Sequence, residues 1–146
     1  ASASDGDNLT VAFPWVPKSP NAKAFARLLQ SKVPKVASNM KFEDRWTRAK
    51  LGISVRNWAF DTMLAAHVLD SRRGVTSIKF QAYVNLGHPP YDDHIKPYLR
   101  ADGGGNSPNR IHHLLLTDLL VYNGLDSLLE VAVARRQKEI LYDSVH

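Results

Sequence analysis

The sequence predicts an α/β protein with a small mixed sheet flanked by helices. Short apolar segments that follow turn residues alternate with segments whose apolar residues recur every three or four positions. Capping residues and glycines stand at the boundaries of the helical segments. With 146 residues and 44% hydrophobic composition, the chain is long enough to form one domain, residues 1–146, with its own core.

The first predicted element is a strand at residues 9–13, directly after the turn residues Asp5-Gly6-Asp7-Asn8. A hairpin needs an earlier partner, and only residues 1–4 are available to supply it. The chain is therefore expected to begin inside a sheet. After a proline-rich loop, Asn21 is expected to cap a helix, and residues 35–38 predict a brief buried strand.

Residues 40–51 predict a helix that ends at Gly52, with Phe42, Trp46 and Ala49 on one side. This periodicity favours core packing over base stacking for the tryptophans, which are Trp15, Trp46 and Trp58. Residues 55–60 predict an extended segment, and residues 63–69 and 78–86 predict helices that Asp61 and Ser77 are expected to cap. Residues 91–99 predict a short helix or turn, and residues 101–109 predict a glycine-rich insertion. Residues 111–141 predict one or two long helices.

Composition restricts the kind of partner and site. The formal charge of +5 favours a polyanionic partner. The absence of cysteine excludes disulfides and thiolate metal sites, and it is compatible with a reducing cytoplasm. No apolar run approaches the roughly 20 residues that a membrane-spanning helix needs, so no membrane partner is expected.

Two distant segments contain the candidate chemistry. In Tyr122-x-x-x-Asp126, helical spacing places a phenol and a carboxylate one turn apart on one face. Asp126 is expected at the start of an apolar helix, where the partial positive charge favours an anion. The other segment is Asn39-x-x-Phe42-Glu43. Hydrolysis of a phosphodiester by two metal ions requires carboxylates from separate elements to converge, and Mg²⁺ prefers such oxygen ligands.

These segments resemble the second and third motifs of the DEDD exonucleases, in the branch that has a tyrosine in the third motif. Residues 60–66, Phe-Asp-Thr-Met-Leu-Ala-Ala, resemble the segment after the second motif in polymerase I-like enzymes, and residues 77–83 resemble the next helix of phage-type members. The similarity runs in order from Val33 to Gln137. It implies a ribonuclease H-like fold, the proofreading 3′–5′ exonuclease activity of a DNA polymerase, and a single-stranded DNA 3′ end as substrate.

The resemblance also implies roles for individual residues. Glu43 and Asp126 would bind Mg²⁺ or Mn²⁺ in the two-metal site of the intact domain, and Tyr122 would orient the attacking water. Asn39 and Lys41 would contact the substrate strand, although Asn39 is equally expected to pin its loop.

Asp61 corresponds to a family residue that holds the fold, and its position before a helix predicts a structural N-cap.

The sequence departs from the family pattern at two points. Glu43 stands where the family usually has Asp, and no Asp-x-Glu of the first motif is present. The chain is therefore expected to be an N-terminally incomplete exonuclease domain, inactive alone, whose partners are a missing N-terminal segment or a polymerase domain. Two alternatives remain open: a ribonuclease D-like RNA exonuclease, and a catalytically inactive module that binds nucleic acid or has a structural role.

Overall fold

The structure is a computed structural model that describes residues 1–99 and 109–143. Its elements, in chain order, are β1 Ser2–Ser4, β2 Thr10–Ala12, α1 Pro20–Gln30, β3 Lys35–Ala37, α2 Met40–Leu51, β4 Trp58–Asp61, α3 Thr62–Leu69, α4 Ile78–Leu86, α5 Lys96–Leu99, a 3₁₀ turn Ile111–His113, and α6 Leu116–Asp143. Of the insertion predicted at residues 101–109, only Asn109 lies within the described residues.

The strands form two separate two-stranded sheets. β1 and β2 pair antiparallel, with Ser2 opposite Ala12, as the hairpin prediction required. The Asp5 carboxylate closes their turn by accepting hydrogen bonds from the amides of residues 7, 8 and 9. β3 and β4 pair in parallel. The predicted α/β class is confirmed at this level, as helices packed on small sheets of short strands. The single mixed sheet that was predicted is not formed by the described residues, because the antiparallel and parallel strand pairs do not hydrogen-bond to each other.

α6 is the common support of the fold, because both sheets and two other helices pack against it. Near its middle it receives the hairpin: Ser2 Oγ donates to the Asn123 carbonyl at 2.8 Å and lies 2.6 Å from Ser127 Oγ. Gly124 is buried at this crossing, and a Cβ there would lie 3.5 Å from Thr10 Cγ2. The hairpin thus packs directly on this turn of the helix, at an ordinary van der Waals distance from where a methyl group would lie.

A buried amide network ties α6 to α3 and α4. The fully buried Gln137 donates through Nε2 to the Thr62 carbonyl at 3.1 Å and to Gln81 Oε1 at 3.0 Å. Gln81 in turn donates to the Val75 carbonyl at 2.6 Å. The adjacent apolar core consists of Ala82, Leu129 and Val133. Thr62 also contacts α6 through its hydroxyl, which donates to Glu130.

Helix boundaries follow the predictions closely, with two corrections. The cap of α1 is Ser19, whose Oγ accepts from the Ala22 amide, and Asn21 lies inside the helix behind Pro20. The long C-terminal region is a single helix of 28 residues that begins at Leu116. No helix within residues 1–99 and 109–143 combines the length and apolarity needed to cross a membrane.

Candidate functional site

Tyr122 and Asp126 lie on consecutive turns of α6, so the phenol and the carboxylate share a face as their spacing predicted. Tyr122 is buried and Asp126 is half-buried. The predicted reason for an acid at position 126 is wrong, however. Because α6 begins at Leu116, Asp126 stands in the interior of the helix, beyond the first turn where unpaired amides favour an anion.

Asp126 instead owes its environment to side chains from elsewhere in the fold. Lys79 of α4 places its Nζ 3.0 Å from Oδ1 and 3.2 Å from Oδ2 of Asp126. The Tyr91 hydroxyl donates to Oδ1 at 2.5 Å. Both carboxylate oxygens are therefore engaged by donors, one a cation and one a phenol. We call Lys79, Tyr91, Tyr122 and Asp126 the Asp126 cluster.

The Lys79 ammonium group also faces two aromatic rings. Its Nζ lies 4.8 Å from the centroid of the Tyr122 ring and 5.8 Å from that of Tyr91. Burial alone lowers the pKa of Lys79, but the Tyr122 hydroxyl and the Asp126 charge raise it by more. Burial raises the pKa of Tyr91, and the hydrogen bond to Asp126 raises it further. The cluster thus holds a protonated lysine and protonated phenols at neutral pH.

Glu130 lies one turn beyond Asp126 and accepts a hydrogen bond from the Thr62 hydroxyl. Burial raises its pKa to about 7, and the charges of Asp61, Asp126 and Glu43 also act to raise it. Four carboxyl groups from three separate parts of the chain therefore share one electrostatic neighbourhood. With a pKa of about 7, Glu130 is about half protonated at neutral pH.

Glu43 lies in the first turn of α2 and is exposed as a residue, although the protein around its carboxyl group raises its pKa by burial. Within the described residues no hydrogen bond reaches this carboxylate. Asp44, the neighbouring acid, is used elsewhere: it accepts from the Val55 amide at 3.0 Å and pairs with Arg48. Lys41 is exposed on the same helix.

Asp61 is the structural cap that the sequence predicted. Its carboxylate accepts from the amides of Met63 and Leu64 at the start of α3. It also accepts from the amides of Asn39 and Met40, at 3.0 and 2.9 Å. Asn39 adopts a left-handed conformation, with φ of 59°, at the entry to α2. Its backbone helps to pin this loop, which is one of the two roles expected for it.

Three site residues were missed by the sequence analysis: Lys79, Tyr91 and Glu130. Of the three, only Glu130 could have been found from helical spacing, since it continues the stripe formed by Tyr122 and Asp126. Lys79 and Tyr91 reach the cluster from α4 and from the loop after it. No local pattern encodes that convergence.

The donor atoms near Asp126 suit a hard cation in type but not in arrangement. Carboxylate oxygens are the ligands that Mg²⁺ prefers. However, Lys79 and Tyr91 already engage both Asp126 oxygens. Within residues 1–99 and 109–143, no group of three or more His, Asp or Glu side chains is placed to hold a metal ion. These residues by themselves do not make the two-metal site that the resemblance implies.

No protein-family model and no curated protein matches the sequence.

Proposed function

We propose that this chain belongs to a 3′–5′ exonuclease domain with a ribonuclease H-like fold, of the kind found in polymerase I-like DNA polymerases. The observation that supports it best is that Tyr122 and Asp126 share one face of α6, with Lys79 and Tyr91 engaging the Asp126 carboxylate. Charges from Asp126 and Glu43, the acids of two motifs far apart in sequence, also act on Glu130, less than its burial does. The substrate in this proposal is the 3′ end of single-stranded DNA.

Three residues of the Asp126 cluster have a direct role in this proposal. Tyr122 keeps its proton at neutral pH because burial raises its pKa, so its hydroxyl is a donor for a phosphate or a water molecule. Asp126 holds the Lys79 ammonium group in place. Lys79 then offers a fixed positive charge to the terminal phosphate. Asn39 and Lys41, beside Glu43, are proposed to contact the strand.

The proposal includes an incomplete catalytic centre. Mg²⁺ or Mn²⁺ would supply the activated water and the leaving-group stabilisation for such hydrolysis. The described residues do not group the carboxylates that two such ions require. We therefore assign the cation-binding function to the intact domain, with further acids from a segment or partner outside this chain.

A second candidate is a catalytically inactive module that binds nucleic acid. The Lys79–Asp126 ion pair favours it, because an acid already neutralised by lysine is poorly suited to bind a cation. A ribonuclease D-like enzyme is a third possibility in terms of substrate, distinguished by activity on RNA rather than DNA ends.

The test is degradation of a 3′-labelled single strand with Mg²⁺ or Mn²⁺. The 146-residue chain alone is expected to be inactive, and a longer chain that supplies an upstream Asp-x-Glu strand is expected to degrade DNA. Asp126→Ala in the longer chain should reduce the rate of degradation at least about 100-fold. Asp143→Ala, which changes the acid at the C-terminal end of α6, should not.

Three outcomes would contradict the proposal in different ways. Robust cleavage by the 146 residues alone, lost in Asp126→Ala, would show that the site is complete without the missing motif. Binding of single strands without cleavage by the longer chain would favour the inactive module. Cleavage of RNA ends but not DNA ends would favour the ribonuclease D-like alternative.

A further inference from the structure

A second surface of the molecule has the residue types of a nucleic-acid site. α2 has no buried residue, although its sequence is amphipathic. One side of it presents Phe42, Arg45, Trp46, Ala49 and Lys50, which line a shallow depression of about 340 Å³. We call this side the α2 outer face. Core packing was predicted for Trp46, and for this residue the prediction is wrong.

Exposure of the two aromatic side chains is high. Trp46 is 50% exposed and Phe42 is 52% exposed. They lie one turn apart, so their rings form a continuous apolar strip. Large aromatic side chains exposed together on a surface mark a binding site more often than a solvated face. Nothing within residues 1–99 and 109–143 buries this strip.

Two cations, Arg45 and Lys50, line the depression beside the strip, and the exposed acid Glu43 lies next to Phe42 in the first turn of the helix. Lys50 Nζ lies 4.9 Å from the centroid of the Trp46 ring, and within the described residues it forms no ion pair. Arg45 lines the same depression. The nearby acid Asp44 is turned to the other side of the helix, where the Val55 amide and Arg48 occupy it. Positive charge on this face is therefore available to an external anion.

We propose that the α2 outer face binds single-stranded nucleic acid, with bases stacked on Trp46 and phosphates on Arg45 and Lys50. Here an aromatic ring lies between two cations, which matches the alternation of flat bases and phosphates along a single strand. This inference rests on the proposed function in one respect, which is that the polyanion bound here is a nucleic acid.

The position of the face fits a strand that leads away from the candidate site. Glu43 lies in the first turn of α2, and Lys50 lies in its last turn. At 1.5 Å per residue, the helix spans about 10 Å between them, which is the length of a few nucleotides at most. The α2 outer face would thus hold nucleotides next to the terminal one, by contacts that need neither Asp126 nor a bound metal ion.

The experiment measures binding of a fluorescein-labelled 15-residue oligothymidylate by anisotropy, in EDTA, at 50 and 200 mM salt. Trp46→Ala is expected to weaken binding about 10-fold, and Trp46→Phe to retain most of it, because any aromatic ring offers a stacking face. Lys50→Gln is expected to weaken binding and to reduce the slope of log affinity against log salt by about 0.7.

Matched controls are Tyr83→Ala, an exposed aromatic on α4, and Lys23→Gln, an exposed lysine on α1. Both should bind as the unaltered chain does. Circular dichroism confirms that each variant is folded. If the longer chain binds oligothymidylate but does not cleave a 3′-labelled strand, the proposed function is contradicted and this inference is left intact.

Three results would overturn the inference. One is no measurable binding by the unaltered chain at 50 mM salt. Another is Trp46→Ala binding within twofold of the unaltered chain, or weakened equally in Tyr83→Ala. The third is a chain that self-associates in sedimentation through Trp46 while oligothymidylate binding does not depend on that residue, which would assign the face to a second copy.

Discussion

Lysine lies over an aromatic ring at almost the same distance in two regions, 4.8 Å for Lys79 on Tyr122 and 4.9 Å for Lys50 on Trp46. In the Asp126 cluster the lysine is also paired with the Asp126 carboxylate, which accepts a hydrogen bond from the Tyr91 hydroxyl. On the α2 outer face the ring is half exposed and no acid neutralises the lysine within the described residues. The same pair of residue types is thus a fixed internal element in one place and an open binding surface in the other. Burial and the nearest acid make the difference.

The first way to break this comparison is to disturb the support of each region. Gln137→Leu should lower the free energy of unfolding by about 2–3 kcal/mol, because the Thr62 carbonyl and Gln81 Oε1 each lose the Gln137 donor, although Asn85 still donates to Gln81 Oε1. Trp46→Ala should cost less than about 1 kcal/mol, since α2 buries no residue. Urea denaturation followed by circular dichroism measures both. Equal losses would show that Trp46 is packed and the comparison is wrong.

The second test concerns the proton on Glu130. Its folded pKa of about 7 lies above its ordinary value of 4.5, so the folded state binds the proton more tightly than the unfolded state does. The free energy of unfolding should therefore fall as pH rises between about 4.5 and 7, by about 2 kcal/mol after allowance for solvent contact. Glu130→Gln should remove this fall.

The control for Glu130 is Glu139→Gln on the exposed side of α6, where the carboxylate pairs with Arg136. This variant should keep the pH dependence of the unaltered chain. Denaturation in urea at half-unit steps of pH, in EDTA, measures the effect. A pH dependence that persists in Glu130→Gln would assign the titration to another group.

The smallest expected effect sharpens the comparison by isolating the ion pair. A double-mutant cycle with Lys79→Met and Asp126→Asn should give a coupling of about 1 kcal/mol, with little dependence on salt, because both side chains are largely shielded. The matched pair is Lys96 with Asp93, which is mostly exposed. Its coupling should be below about 0.5 kcal/mol and should fall with added salt. Indistinguishable couplings would show that Lys79 is not a fixed element.

Much of the secondary structure could be predicted from the sequence. α2 was predicted at its observed bounds, because Gly52 takes the left-handed conformation that ends a helix. The cap at Asp61 was predicted for the same kind of local reason. These signals lie within a few residues of the element they define, so tertiary structure does not need to be known.

Predictions that depended on tertiary structure were less accurate. The apolar periodicity of α2 was interpreted as a core face, yet burial depends on whether another element covers that face. Asp126 was placed at a helix start because the helix boundary at Leu116 was not recognised. Lys79 and Tyr91 entered the candidate site through the packing of α4 and its following loop onto α6, which no local spacing encodes.

Asp61 shows why a tally of acidic residues overstates what a region can bind. Its Oδ1 accepts three backbone amides and its Oδ2 accepts a fourth, so the loop before α2 and the start of α3 are joined through one side chain. The lone pairs of this carboxylate are committed to the backbone. Even an isosteric amide would fail here, since asparagine would present a donor where the second oxygen must accept. The Asp61 side chain joins two backbone segments, and it is negatively charged because a carboxylate supplies the two acceptor oxygens that are needed at one point.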